Sequence, residues 1–168
     1  LEIFVDGEPW IVNRGTYAYQ DKRRLEFKGT VSHSVVQAER MEQSECWAFF
    51  RMARMARVHS VVCTDKRLSA VMRDYTGNVI VRAVELTDYG VKVVDKGEAN
   101  MRIAAHCHVP GSVGVSLQEA QLEDIAPCFG VLEPGFRWSQ SGLGEIVSRI
   151  DLIHKSIRQV SVAERGVH

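Results

Sequence analysis

Glycine-centred turns recur along this chain at intervals too short for helices. Asp6-Gly7, Thr76-Gly77-Asn78, Tyr89-Gly90, Lys96-Gly97 and Pro110-Gly111 each separate apolar runs of strand length. Asp-Gly tolerates the positive φ of a tight turn, so Glu2–Val5 and Pro9–Val12 are expected to form a hairpin. Further strands are expected at Ser34–Ala38, Cys46–Phe50, Val58–Cys63, Leu68–Met72, Val79–Leu86, Val91–Asp95, Met101–Cys107 and Val113–Leu117. Val91-Lys92-Val93 and Val113–Leu117 alternate with period two, which buries one face of each. The expected fold is all-β, an antiparallel two-sheet β-sandwich.

Two segments are ambiguous in pattern. Glu42–Arg57 has helical propensity and sets Arg51, Arg54 and Arg57 three apart, yet it runs into Val58-His59-Ser60-Val61-Val62-Cys63, which favours strands. In Gly142–Val162, Ile146, Ile150 and Ile153 fit a helix, whereas Ile157, Val160 and Val162 fit strands; we read this ending as β.

Composition narrows the function classes. The 21 basic and 21 acidic residues cancel, so a dedicated nucleic-acid binder is not expected and any anion site is a local patch. No apolar run approaches the ~20 residues of a membrane span. The 168 residues suffice for a single domain with its own core. The chain opens at Leu1, directly in strand-like sequence, and is expected to be a piece of a longer or processed protein. Cys46, Cys63, Cys107 and Cys128 form no C-x-x-C pair, and free, buried thiols are the simpler reading.

One stretch stands out chemically. From Val12 to Trp47 the chain gathers Tyr17, Tyr19, Lys22, Arg23, Arg24, Phe27 and His33, a mixture suited to the wall of a polar site. In an extended segment Tyr17 and Tyr19 face one way, to sugar or into the core. Beyond it, Trp47, Phe49 and Phe50 stand near Arg51, Arg54 and Arg57, which suits an acidic polymer through paired N–H donors and stacking. The alternative there is a basic solvent face. His106 and His108 share one face of a strand while Cys107 points away, so that trio never supplies three metal ligands. A half-exposed strand with ordinary histidines is expected.

Gly15-Thr16-Tyr17-Ala18-Tyr19, then His33-Ser34-Val35-Val36, then Gln43-Ser44-Glu45-Cys46-Trp47 resemble the heparinase II/III family of polysaccharide lyases. Arg82-Ala83-Val84-Glu85-Leu86, Gly90–Asp95 and His106-Cys107-His108-Val109-Pro110 continue the match in order, over about Leu1 to Leu117. The resemblance implies a C-terminal β-sheet domain packed beside an N-terminal α/α toroid, with the active cleft between them. It also implies an acidic, uronic-acid-containing polysaccharide as the partner, and a periplasmic or extracellular location. The family's toroid-borne asparagine, histidine and tyrosine have no counterpart in these residues.

β-Elimination from a uronic acid needs its carboxylate neutralised, a base to take the C5 proton and an acid for the leaving oxygen. The expected catalytic contributors are His33, Tyr17 and Tyr19, with Arg23, Arg24, Arg51 and Trp47 binding substrate. His33 matches the family histidine that opens a His-Asn-Thr-like strand, which lies at the cleft or binds structural zinc in some members. A structural, hydrogen-bonded histidine is the alternative. Met72 and Val81 stand where further imidazoles are usual, so no metal and no cofactor are expected. A non-catalytic β-sandwich that binds carbohydrate or supports a neighbour is the alternative function.

Overall fold

The computed structural model describes residues 1–113, 116–117, 120–152 and 156–159. It is a sandwich of two sheets with a small hairpin beside them. That hairpin, β1 (Ile3–Val5) and β2 (Glu8–Ile11), turns at Asp6 and Gly7 with φ of 53° and 85°, the positive pair that a tight Asp-Gly turn demands.

The smaller sheet has the order β10-β11-β8-β3 and comprises β3 (Val36–Ala38), β8 (Arg102–Pro110), β10 (Gln121–Ile125) and β11 (Glu133–Leu143). The larger sheet runs β4-β5-β6-β7-β12-β13-β9. Its strands are β4 (Arg57–Cys63), β5 (Arg67–Arg73), β6 (Val79–Thr87), β7 (Gly90–Lys96), β9 (Ser116–Leu117), β12 (Glu145–Asp151) and β13 (Ser156–Gln159). Pairing is antiparallel except between β13 and β9.

The inner faces meet in two apolar clusters. Val91 and Val93 of β7 and Ile150 of β12 pack against Cys107 and Val109 of β8, Trp138 of β11 and Ile11 of β2. Ile80 of β6 and Ile146 of β12 meet Ile103 and Ala105 of β8 and Val36 and Ala38 of β3. Residues 103, 105, 107 and 109 of β8 therefore all point inward, as period two requires. Arg82 of β6 also reaches into the sandwich, forming a bidentate pair with cross-strand Asp95 at 2.7 and 2.9 Å. Asp95 is 1% exposed, and a carboxylate buried so deeply needs such a partner.

The all-β expectation holds, with corrections in detail. Cys46–Phe50 is not a strand; the chain from Glu45 to Arg54 doubles back on itself, Cys46 bridging to Met52. The helical alternative for Glu42–Arg57 is absent too. A short helix, α1 (Arg23–Lys28), stands in a stretch to which the sequence reading assigned no element. It starts where the Asp21 carboxylate and carbonyl accept the N–H groups of Arg23 and Arg24, and it buries Phe27. A 3₁₀ turn, Thr30–Ser32, follows. The β reading of the ending holds through β12 and β13, while residues 153–155 and 160–162 of that reading lie outside the described residues, as do residues 114 and 115 of the expected Val113–Leu117 strand. All four cysteines are free; Cys107 is buried, but Cys63 and Cys128 are exposed, against the expectation that all are buried. Burial pushes the Cys107 thiol up to about 12. Among the described residues no helix is long and apolar enough to cross a membrane.

Gly15 pins the Tyr17 segment to the sheet. Its φ is +80°, and a Cβ there would stand 2.1 Å from the Ala126 carbonyl oxygen. Both features exclude a side chain, so Gly15→Ala is expected to cost at least about 2 kcal/mol. Chemical denaturation of the two proteins measures this.

Candidate functional site

The outer face of β8 carries Ala104, His106 and His108, and in most sandwiches such a face would meet water. Here it does not: His108 is 0% and His106 9% exposed. This corrects the expectation of a half-exposed strand, although the alternation that turns Cys107 away from the two imidazoles is as expected. Over His108 lies the polar stretch itself, in the 3₁₀ turn whose Val31 carbonyl meets its ring.

On this face both ring nitrogens of His108 are met, whereas His106 Nε2 is buried without a hydrogen-bond partner. His108 Nε2 donates to the Val31 carbonyl at 2.9 Å, and Nδ1 contacts the Glu123 carboxylate of β10. Glu123 also lies 3.5 Å from Arg14, a residue only 5% exposed. Arg14 donates to the Asp124 carbonyl, to Ser32 Oγ and to Glu26, and its guanidinium lies 4.3 Å from the Phe27 ring centroid.

His33 emerges from this network half-buried, directly after the 3₁₀ turn. Burial lowers its proton affinity, with the nearby charge of His108 next in size, against a partial offset from the Lys28 carbonyl. His33 is therefore a neutral imidazole at neutral pH, able to accept a proton at one nitrogen and donate at the other.

The other expected site residues fall into two groups. Tyr17 packs on Phe27 at 6.3 Å, and the Arg23 guanidinium lies over its ring. Arg23 is engaged by Asp124 at 2.6 Å, which raises its pKa. Arg24 donates to Thr16 Oγ1 and lies 5.4 Å from the Tyr19 ring. Tyr19 itself is exposed and meets Phe129 at 4.9 Å and Phe50 at 6.0 Å. The two tyrosines thus have separate partners rather than one shared face. Trp47 and Arg51 lie further out on the doubled-back loop, Trp47 being 68% exposed. They line one shallow hollow with Leu25 and Phe50, and Tyr19 and Phe129 line another. Arg54 is held by Glu45 at 2.9 Å and lies over Tyr75, away from any joint basic face with Arg51.

Sequence reasoning missed Arg14, Glu123 and Ser34. Ser34 uses every polar group it has. Its N–H donates to Asn13 Oδ1, its hydroxyl donates to the Val12 carbonyl and accepts from His108 N–H, and its carbonyl accepts from Arg82. Residues present do not fit a zinc ion: both His108 nitrogens are committed to protein acceptors, and among the described residues no three His, Cys, Asp or Glu side chains are arranged to hold a metal.

A two-sheet sandwich whose polar outer face is roofed by a histidine-bearing turn is the architecture to which known proteins were compared. The chain belongs to the heparinase II/III-like, C-terminal family, whose model matches residues 1–147. A heparinase III, the BT4657 gene product with methylated lysines, superposes with a TM-score of 0.58 at 13% identity, covering 88% of this chain and 28% of that one. The heparan sulfate lyase HepC from Pedobacter heparinus superposes with a TM-score of 0.52 at 11% identity, covering 99% of this chain and 37% of that one. The chain thus spans about a third of the length of these solved lyases. Comparison with curated protein sequences finds no match.

His106 makes the site acid-sensitive. Its Nδ1 contacts Ser139 Oγ at 2.9 Å, and burial, then the charges of His108 and Arg137, lower its pKa to about 4. The unfolded chain takes up that proton near the ordinary value of 6.5. This contribution is therefore fully present above pH 6.5 and lost as pH falls towards 4, amounting to about 3 kcal/mol at most. Unfolding midpoints measured across that range should fall less steeply in His106→Gln, with a residual slope from His33, whose shift has the same sign.

Proposed function

We propose that this chain is the C-terminal domain of a polysaccharide lyase that cleaves a uronic-acid-containing glycan by β-elimination, and that its His33 surface is one wall of the cleft. The observation that carries this reading is the state of His33. It is a half-buried imidazole, kept neutral by burial and by a charged neighbour, at the rim of a network that leaves its position no slack. Family membership and the fold of heparinase III and HepC supply the reaction class.

In such a cleft a base removes the C5 proton, the electron pair forms the C4–C5 double bond, and the C4–O bond breaks with protonation of the leaving oxygen. His33 contributes at the uronate carboxylate or at a proton-transfer step. Arg24 and the hydroxyl of exposed Tyr19 supply further donors from the same polar stretch, while the aromatic pair of Tyr19 and Phe129 offers a sugar a flat apolar surface. Arg23 is a weaker candidate than the sequence implied, because Asp124 already holds its charge. The remaining acid–base groups belong to a preceding α/α toroid. Periplasmic or extracellular placement fits a polymer substrate of this kind.

The second reading is a non-catalytic module that binds carbohydrate or supports a neighbour. It draws on the engagement of Arg14 and Arg23 in ion pairs within the fold. One measurement tests the lyase reading and a second separates it from the alternative. The 168-residue chain alone should yield no unsaturated uronate from acidic glycans, because one wall supplies only part of the catalytic set. In the full-length protein, His33→Ala should lower kcat about a hundredfold or more, with the unfolding midpoint changed by no more than about 1–2 kcal/mol of stability. Normal turnover with a lowered midpoint would make His33 structural and support the second reading.

A further inference from the structure

His108 is buried, polar and unused by the chemistry above. Its ring has no nitrogen to spare for a substrate, because Nδ1 meets Glu123 and Nε2 meets the Val31 carbonyl. Its backbone N–H is committed as well, donating to Ser34 Oγ at 3.0 Å. Val31 and Ser34 flank His33, so a single residue of β8 grips the chain on both sides of the imidazole at the rim.

We propose that His108 is the positioning residue for His33: the His108 side chain fixes the Val31 carbonyl, its main chain fixes Ser34, and together they set where the His33 ring stands. This rests on the reading of His33 as a cleft residue. Three features make the grip rigid. At His108 the backbone of β8 is tied on both edges, paired with Arg137 of β11 on one side and bridged to Val12 on the other. Glu123 fixes the ring of His108, and Arg14, 3.5 Å from Glu123, fixes that carboxylate in turn. Ser34 is held from the other side by Arg82 of the large sheet. A neutral apolar residue at 108 could fill the space but would leave the Val31 carbonyl buried without a donor. Near His33 itself the charged or polar groups are His108, the Lys28 carbonyl, the amino group of Leu1 and Glu42, so loss of the grip changes the ring's surroundings as well as its place.

The chemistry of the grip dictates the test. A glutamine amide nitrogen extends about as far as Nε2 of a histidine, whereas an asparagine amide reaches only as far as Nδ1. In the full-length protein, His108→Asn is therefore expected to lower kcat on a uronate polymer about a hundredfold, the scale for a misplaced catalytic group, with KM little changed. It should also move the His33 ring resonances in NMR spectra of histidine-labelled protein. His108→Gln should restore most of the turnover and return the His33 resonances towards their original positions. Equal losses in the two variants would make His108 a packing residue and overturn the proposal, as would full activity and unmoved resonances in His108→Asn. If the full-length protein cleaves no uronate polymer, the proposed function fails, yet the His33 resonances still decide whether His108 places that ring. Should His108→Asn yield too little folded protein, Ser34→Ala releases the other grip; unmoved His33 resonances in that variant would overturn the proposal too.

Discussion

In the four residues from Val31 to Ser34, Ser32 and Ser34 are buried and Val31 and His33 half-buried, and the structure depends on satisfying the polar groups of this segment. An unmet buried donor or acceptor costs about 1–3 kcal/mol, so several together would unfold the domain. Each partner comes from a different place. Asn13 and Val12 follow the first hairpin, His108 lies on the central strand of the small sheet, and Arg82 reaches from the large sheet. Arg82 can do this only because Asp95 accepts its charge inside the sandwich. The two sheets are thus joined by a chain of polar contacts as well as by apolar packing, and His33 is bonded into the middle of it.

Charge follows from the same geometry. The His108–Glu123 pair is buried beneath the 3₁₀ turn, whose Val31 carbonyl meets the ring, and Arg14 lies 3.5 Å from the same carboxylate. Buried networks of this sort are weak evidence for stability but fix one arrangement where apolar contacts would accept several. The field of His108 extends to both neighbouring imidazoles, lowering the proton affinity of His33 and of His106. Geometry and protonation at the rim therefore have a common source.

The sequence made visible what is local. Asp6-Gly7 announced its hairpin, period two placed Cys107 opposite the two histidines, and the motifs from Gly15 to Trp47 pointed to the right family. It concealed what depends on distant partners. Arg14 meets Asp124, 110 positions away, and Ser34 meets His108, 74 away; no spacing rule reaches that far. The burial of His106 and His108 was misjudged because a strand pattern reports alternation, not what lies on top of the outward side. Helix α1 was missed because six residues give little periodicity, and its Lys22 cap makes no side-chain bond. Cys46–Phe50 has strand-forming side chains, but short backbone contacts, Trp47 to Arg51 and Ala53 to Glu45, close a tight loop instead.

The central claim is that His33 faces a bound acidic glycan, to which Arg24 and Tyr19 supply further contacts. A crystal structure of the full-length protein with a short oligouronate tests it most directly. The account predicts a uronate carboxylate within hydrogen-bonding reach of His33 or Arg24, and a sugar ring against Tyr19 and Phe129. An oligosaccharide bound elsewhere, with the His33 surface covered by another part of the protein, would contradict it.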